Sequence, residues 1–151
     1  MSDNERCPVG EERIDESTVR VNGAIVVVLL LASLVPELRW IQLYLLVDFG
    51  IKVFAGFAYS PNCAIARFIA GLLRLPIRSV PAAPKRFAGA VAMVFLAAAL
   101  MSWFVLGSDE AFFVFTAAFT ACALLESVAG FCVGCFVYGL LPEKVSKPFV
   151  R

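Results

Sequence analysis

The chain has 151 residues, of which 61% are hydrophobic and 17% charged, and it contains no histidine. Soluble domains are about 45–50% apolar and about 25% charged, so this composition excludes an ordinary water-soluble domain and indicates lipid as the surrounding solvent. The 13 Lys and Arg residues nearly balance 12 Asp and Glu residues, which gives no support to nucleic-acid binding, and the lack of histidine excludes imidazole chemistry.

The apolar runs predict an all-α integral membrane protein with four transmembrane helices, each of about 20 residues or slightly fewer. The first ends before Pro36, as helices tend to do, and the second has Trp40 and Tyr59 at its two ends, where interfacial aromatic residues are expected. The predicted spans cover about residues 19–35, 40–59, 87–106 and 111–141, between a cytoplasmic N-terminal tail (residues 1–18) and a cytoplasmic C-terminal tail (residues 142–151).

The connection between the second and third spans, about residues 60–86, is predicted to lie at the membrane surface. Cys63 to Leu75 is too short to cross a bilayer, and Arg67 and Arg74 are seven residues apart and therefore on one helical face. This pattern indicates a short amphipathic interfacial helix. The prolines that follow it predict an extended linker that ends in Lys85-Arg86.

The distribution of basic residues predicts the orientation in the membrane. Eleven of the 13 Lys and Arg residues lie in the two tails, at the start of the first span and in the middle connection, whereas the two other loops contain only Arg39. By the positive-inside rule, both termini and the middle connection face the cytoplasm.

The fourth apolar run is too long for one straight crossing. A helix from Ala111 to Leu141 would be about 46 Å long, against a hydrocarbon core of about 30 Å. Gly130 and Gly134 lie where about 20 helical residues would reach the inner boundary. We therefore predict a break at Gly130, with the remaining residues at the cytoplasmic interface.

The sequence Cys132-Val133-Gly134-Cys135 is a C-x-x-C motif, a spacing at which two thiols can form a small disulfide loop or share a metal. If the helix breaks at Gly130 and Cys132 begins the next segment, the helix dipole favours a thiolate there. We predict Cys132 as the attacking thiol and Cys135 as the resolving thiol, with Cys7 as a third carrier. The alternative is that small residues in a glycine-rich turn let helices approach closely.

The other cysteines are interpreted more simply. Cys122 is expected to be a small hydrophobic residue in a helix interface, and Cys63 to be incidental. A site with four cysteine ligands for zinc or iron–sulfur is less favoured, because Cys7 and Cys63 have no paired spacing of their own. No metal and no cofactor is predicted.

Three charged residues fall inside the predicted spans. Asp48 and Lys52 are four residues apart and can pair, either as a self-neutralised structural pair or as part of an ion or proton path or a polar pocket. Glu126 is at a similar depth to Lys52, so a Lys52–Glu126 contact, with Asp48 nearby and within reach of the C-x-x-C motif, is geometrically permitted. Arg86 belongs to a basic face at the inner leaflet, which binds lipid headgroups or receives an acidic partner or an anionic substrate.

The chain resembles the bacterial membrane family catalogued as domain of unknown function 4395. The resemblance covers essentially the whole chain, and its most specific parts are the P-x-R-F-A and G-F-C-x-G-C patterns. It implies a small multi-pass protein of the bacterial inner (plasma) membrane, of a kind often encoded beside or fused to thioredoxin-like or rhodanese-like proteins. The residues that carry it are Cys7-Pro8-Val9, Asp15-Glu16, Val19-Arg20-Val21-Asn22, Pro84-Lys85-Arg86-Phe87-Ala88, Gly130-Phe131-Cys132-Val133-Gly134-Cys135 and Tyr138-Gly139-Leu140-Leu141.

We predict a membrane protein of thiol or sulfur metabolism, whose cytoplasmic C-x-x-C exchanges disulfide or persulfide with a soluble thioredoxin-like or rhodanese-like partner. A quinone-linked oxidoreductase is a less favoured variant, since the sequence has neither histidine nor an established quinone motif. One alternative is a small transporter or channel subunit for a sulfur-containing or other anionic solute, in which Lys52 coordinates the solute and a homo-oligomer forms the path. The other is a non-catalytic membrane scaffold or accessory subunit. The lipid bilayer is the expected surrounding partner, and nucleic acid is not expected.

Overall fold

The structure is a computed structural model that describes residues 13–140. Helices dominate this part of the chain, and a two-stranded antiparallel ribbon joins its beginning to the middle connection. The helices are α1 (Glu16–Ala32), α2 (Trp40–Phe54), α3 (Pro61–Leu72), α4 (Ala82–Phe104), α5 (Asp109–Ala129) and α6 (Val133–Leu140), with short 3-10 helices at Pro36–Leu38 and Phe57–Tyr59 and strands β1 (Arg13–Asp15) and β2 (Ser79–Pro81).

Four helices, α1, α2, α4 and α5, form an up-and-down bundle around one apolar core. Leu30, Leu45 and Leu96 are almost completely buried at its centre, and Phe119 packs against them from α5. Helix α3 packs on α1, and α6 packs on α4. The all-α class predicted from the apolar runs is therefore confirmed, apart from the small ribbon, which the sequence analysis did not predict.

The first helix begins three residues earlier than predicted because Asp15 caps it. The carboxylate of Asp15 accepts hydrogen bonds from the backbone N–H groups of Ser17 and Thr18, both at 3.3 Å. It also accepts the N–H of Arg78 at 3.0 Å, which ties the start of α1 to the middle connection. Residues 13–18 are therefore structured, and the prediction of a tail that extends to residue 18 was wrong.

Two other boundaries differ from the prediction for local backbone reasons. Helix α2 ends at Phe54 instead of Tyr59, and Gly56 follows with a φ of 109°, which a helix cannot accommodate. Helix α4 begins at Ala82 instead of Phe87. Pro84 lies in its first turn, where a backbone N–H has no intrahelical acceptor, so the proline costs the helix no hydrogen bond. The predicted extended linker is therefore wrong over residues 82–86.

The predicted break at Gly130 is confirmed. Gly130 has a left-handed φ of 67° and ends α5, and its N–H donates to the carbonyl of Glu126 at 3.1 Å. The guanidinium of Arg20 packs against Gly130 so closely that a Cβ there would collide with it. A cation at this position complements the negative end of the α5 dipole.

Two of the described helices are long and apolar enough to cross a membrane. Ala82–Phe104 has a mean hydropathy of 2.0 and Asp109–Ala129 of 1.8, and only 33% and 28% of the respective apolar windows are buried inside the protein. Most of their apolar surface therefore faces outward. Helices α1 and α2 have 17 and 15 residues, below the about 20 that a straight crossing requires.

The charged residues divide between the two ends of the bundle. We call one end, where α1 and α4 begin and α5 ends, the basic end, and the other, where α2 and α5 begin, the acidic end. Of the described residues, Arg39 is the only Lys or Arg at the acidic end, where it lies with Glu37, Asp109 and Glu110. The basic end carries Arg13, Arg20, Arg67, Arg74, Arg78, Lys85 and Arg86.

Candidate functional site

The C-x-x-C motif forms the beginning of α6. Cys132 immediately precedes the first helical residue, and its Sγ accepts the backbone N–H of Cys135 at 3.3 Å, as an N-capping side chain does. Both cysteines are half-buried free thiols. The structure thus places Cys132 at the helix start that its sequence position predicts.

Helix α6 is seated directly on the first turns of α4. A Cβ at Gly134 would lie 2.5 Å from the Cβ of Ala88 and 2.7 Å from its Cα, so only glycine allows this approach. The rings of Phe87 and Tyr138 add a tilted contact, with their centroids 5.7 Å apart. Close helix approach, the alternative considered for the glycine-rich turn, therefore holds for Gly134 and coexists with the thiol pair.

The hypothesis of a Lys52–Glu126 contact is wrong, since Lys52 pairs with Asp48. The Oε1 of Glu126 instead lies 2.5 Å from the Nζ of Lys85, in the first turn of α4. This difference follows from the early start of α4, which brings Lys85 into the helix and turns it toward the last turn of α5. Arg86 is the next residue of the same turn.

The surroundings of the two thiols separate their pKa values. The hydrogen bond between the Cys135 thiol and the Cys132 sulfur is the main cause that lowers the pKa of Cys132, and the charge of Lys85 acts in the same direction. Burial and the charge of Glu126 oppose this shift without cancelling it. The same thiol hydrogen bond, together with burial, raises the pKa of Cys135. Cys132 is therefore the group that ionises first, which is the order required of an attacking thiol.

A cavity of about 250 Å³ borders Cys132. Its walls come from α1, α2, α4, α5 and α6 and are mainly apolar, with the rings of Phe49, Phe95 and Phe119 among them. Lys85 and Glu126 also line it. The ion pair and Cys132 therefore share one apolar enclosure.

The predicted Asp48–Lys52 pair is present and is almost fully buried. The Nζ of Lys52 lies 2.5 Å from the Oδ2 of Asp48 and donates to the Oδ1 of Asn22 at 3.1 Å. Asp48 also accepts hydrogen bonds from the Ser60 hydroxyl at 2.7 Å and the Asn62 side chain at 3.2 Å. Ser60 and Asn62 were missed because single polar residues at helix starts usually cap the helix or face water. With all of them in place, the geometry is that of a satisfied structural network.

Cys63 and Cys122 occupy different environments from the motif. Cys63 is only 3% exposed on the face of α3 that packs on α1, with its Sγ 3.9 Å from the Oδ1 of Asn22, and burial raises its pKa. Cys122 lines the cavity in α5. Cys7 lies outside the described residues. Between residues 13 and 140, no three His, Cys, Asp or Glu side chains gather as metal ligands would.

Sequence reasoning also missed a buried cluster at the acidic end. Arg39 pairs with Asp109 at 2.6 Å, and its guanidinium lies 4.9 Å from the ring centroid of Phe112 and 5.3 Å from that of Trp103. One sequence signal was available, since Arg39 is the lone basic residue opposite the acidic turn at Asp109. The cluster lies at the opposite end of the bundle from the thiols and joins the start of α2 to the start of α5.

These features define a helical protein with two membrane-length apolar helices and a helix-capping thiol pair beside an apolar cavity. The family model described as "Domain of unknown function (DUF4395)" matches residues 14–142, so the chain belongs to that family. The resemblance based on the P-x-R-F-A and G-F-C-x-G-C patterns is thereby confirmed. Comparisons with curated proteins and with solved structures found no similar protein.

Proposed function

We propose that this protein is a four-helix membrane protein of thiol metabolism that exchanges disulfides with a soluble thioredoxin-like partner through Cys132 and Cys135. The observation that carries the proposal is the hydrogen bond from the N–H of Cys135 to the Sγ of Cys132 at the start of α6. It supports a thiolate at Cys132, with a second thiol three residues away that can resolve a mixed disulfide.

The exchange has two balanced steps. The thiolate of Cys132 attacks one sulfur of the partner's disulfide, which forms a mixed disulfide and releases the partner's other sulfur as a thiolate. Cys135 then loses its proton and attacks the Sγ of Cys132, which forms the Cys132–Cys135 disulfide and releases the partner as a dithiol. The reverse sequence oxidises the partner. A rhodanese-like partner would instead transfer its outer sulfur to Cys132, and attack by Cys135 would release hydrosulfide.

The membrane placement rests on the outer surfaces of the short helices and on the charge division. Val28 of α1 and Val47 of α2 are 65% and 57% exposed, which favours lipid contact for these helices as well. All described Lys and Arg residues outside the bundle centre lie at the basic end except Arg39. By the positive-inside rule, this division supports a location of the basic end and the C-x-x-C at the cytoplasmic face of a bacterial inner membrane.

The contacts of Lys52 favour thiol exchange over solute transport. Its ammonium contacts Asp48 and Asn22, and the Lys52 side chain is 1% exposed, so its charge is neutralised inside the bundle. A solute-coordinating role would require this buried network to be broken, which costs several kcal/mol.

Trapping of the mixed disulfide tests the proposed function. In Cys135→Ser, the resolving thiol is absent, so a covalent complex between Cys132 and a cytosolic thioredoxin-like or rhodanese-like protein should accumulate and disappear on reduction. Cys132→Ser, which lacks the attacking thiol, and Cys122→Ser, which keeps both motif thiols, are the matched controls. The proposal fails if Cys135→Ser forms no such complex, or if Cys132→Ser forms it equally well.

A further inference from the structure

The cavity beside Cys132 is built for a small apolar ligand. It has a volume of about 250 Å³, its wall includes the rings of Phe49, Phe95 and Phe119, and one of its lining residues, Val137, is 40% exposed. Typical ligand pockets measure about 300–1,000 Å³, so this volume suits one ring system whose tail extends outside. A soluble protein could not enter it, so the cavity is a second approach to Cys132, distinct from the surface that a thioredoxin-like partner would use.

The polar groups in the wall restrict the chemistry of the ligand. Lys85 has three ammonium donors, of which Glu126 accepts one, so further N–H groups can bind a ligand carbonyl oxygen. Aromatic walls stack on a flat ring. A simple acyl chain would use neither feature, whereas a ring that carries two carbonyl groups would use both.

We propose that the cavity binds the head group of a lipid-soluble quinone, which oxidises the Cys132–Cys135 pair. This inference rests on the proposed function, because it supplies the oxidant that a dithiol needs before it can oxidise a soluble partner. The cavity carries the proposal, because the sequence contains no recognisable quinone motif.

The net reaction balances without any other reagent. The two thiols lose their protons, an S–S bond forms between Cys132 and Cys135, and two electrons pass to the quinone ring. Each quinone carbonyl oxygen takes one proton, which gives the hydroquinone. Glu126 and Lys85 line the same cavity as Cys132, so a carboxylate and an ammonium are at hand to pass those protons.

The experiment uses the full-length protein, reduced in detergent without oxygen, and decylubiquinone as the probe. We expect loss of the quinone absorbance in proportion to protein, with formation of the Cys132–Cys135 disulfide. Ala123→Leu, at a wall position that is 6% exposed, should slow quinone reduction by about tenfold because the added side chain occupies the ring's volume. Ala121→Leu, on the exposed face of the same helix, should not slow it.

A binding measurement keeps the inference testable if Ala123→Leu folds poorly. In Cys135→Ser, decylubiquinone should protect Cys132 from alkylation by a maleimide, and palmitate should protect it less. The inference is overturned if the unmodified chain does not reduce decylubiquinone, if the quinone gives no protection, or if palmitate protects equally. If the quinone is not reduced but a mixed disulfide is trapped, the inference fails and the proposed function stands. If the quinone is reduced but no partner is trapped, the inference stands and the proposed function fails.

Discussion

The Nζ of Lys85 lies 2.5 Å from the Oε1 of Glu126, and this ion pair joins the first turn of α4 to the last turn of α5 beside Cys132. The two charges act on the thiol in opposite directions. Lys85 lowers the pKa of Cys132, and Glu126 raises it. The ion pair therefore sets the pKa of Cys132 by two opposing charges, and removal of either residue should leave the effect of the other unopposed.

Substitution of the two charges should shift the reactivity of Cys132 in opposite directions. Lys85→Met removes the cation that stabilises the thiolate, so the pH midpoint of Cys132 alkylation should rise. Glu126→Gln removes the repelling carboxylate, so the midpoint should fall. The measurement is the rate of iodoacetamide alkylation of Cys132 as a function of pH, followed by mass spectrometry of the labelled site. Midpoints that move in the same direction would contradict the assignment.

Removal of the second thiol should make Cys132 less acidic. Below its ordinary pKa a free thiol is mostly protonated, and the lowered pKa of Cys132 means that its alkylation rate should reach half-maximum at a lower pH than that of a free thiol. Cys135→Ala deletes the thiol hydrogen bond that is the main cause of this shift, so the midpoint should move upward. The converse variant Cys132→Ala removes the hydrogen bond but not the burial, and both raise the pKa of Cys135. Cys135 should therefore remain unreactive near neutral pH in this variant.

The difference between the predicted and observed partners of Glu126 shows where sequence reasoning is limited. Periodicity and length were sufficient for the helices, and the excess length of the last run was sufficient for the break at Gly130. Depth counting placed Lys52 and Glu126 at one level, but it gave no rotation for either helix. Lys85 was assigned to the end of an extended linker because three prolines precede it, although Pro84 is compatible with a helix's first turn. The cavity depends on side chains from five helices, which no local pattern reports.

Gly134 should be essential for seating α6, whereas Gly139 in the same helix should not. A Cβ at Gly134 would meet Ala88 at 2.5 Å, but a Cβ at Gly139 has nothing within 4 Å. Gly134→Ala should therefore destabilise the protein by about 1–3 kcal/mol and raise the proteolytic sensitivity of α6. Gly139→Ala should be neutral or stabilising by up to about 1 kcal/mol, because alanine favours a helix more than glycine does. Thermal unfolding in detergent and limited proteolysis compare the two, and equal effects would argue against the contact.

Loss of Lys52 alone should destabilise the protein more than replacement of both Asp48 and Lys52. Lys52→Met leaves the buried carboxylate of Asp48 without its cation, and such losses typically cost about 3–5 kcal/mol. Addition of Asp48→Asn removes the stranded charge, so the double variant should recover at least half of the lost stability. Unfolding by denaturant in detergent compares the unmodified protein with the single and the double variant. If the double variant is the least stable, the network contributes through its hydrogen bonds to Ser60 and Asn62 more than through its charges.

Arg39 should depend more on its aromatic neighbours than on its carboxylate partner. The Arg39 side chain is 7% exposed, whereas that of Asp109 is 62% exposed, so the ion pair is screened from one side and contributes at most about 1 kcal/mol. The guanidinium also lies over Phe112 and Trp103. A planar guanidinium stacks on these rings in a way that an ammonium cannot reproduce.

Arg39→Lys should therefore destabilise by about 1–2 kcal/mol although the charge is kept, and Asp109→Asn by less. Thermal unfolding at low and high salt separates the two contributions, since only the ion pair should weaken with salt. A larger loss in Asp109→Asn than in Arg39→Lys would show that the carboxylate, and not the rings, holds this end of the bundle.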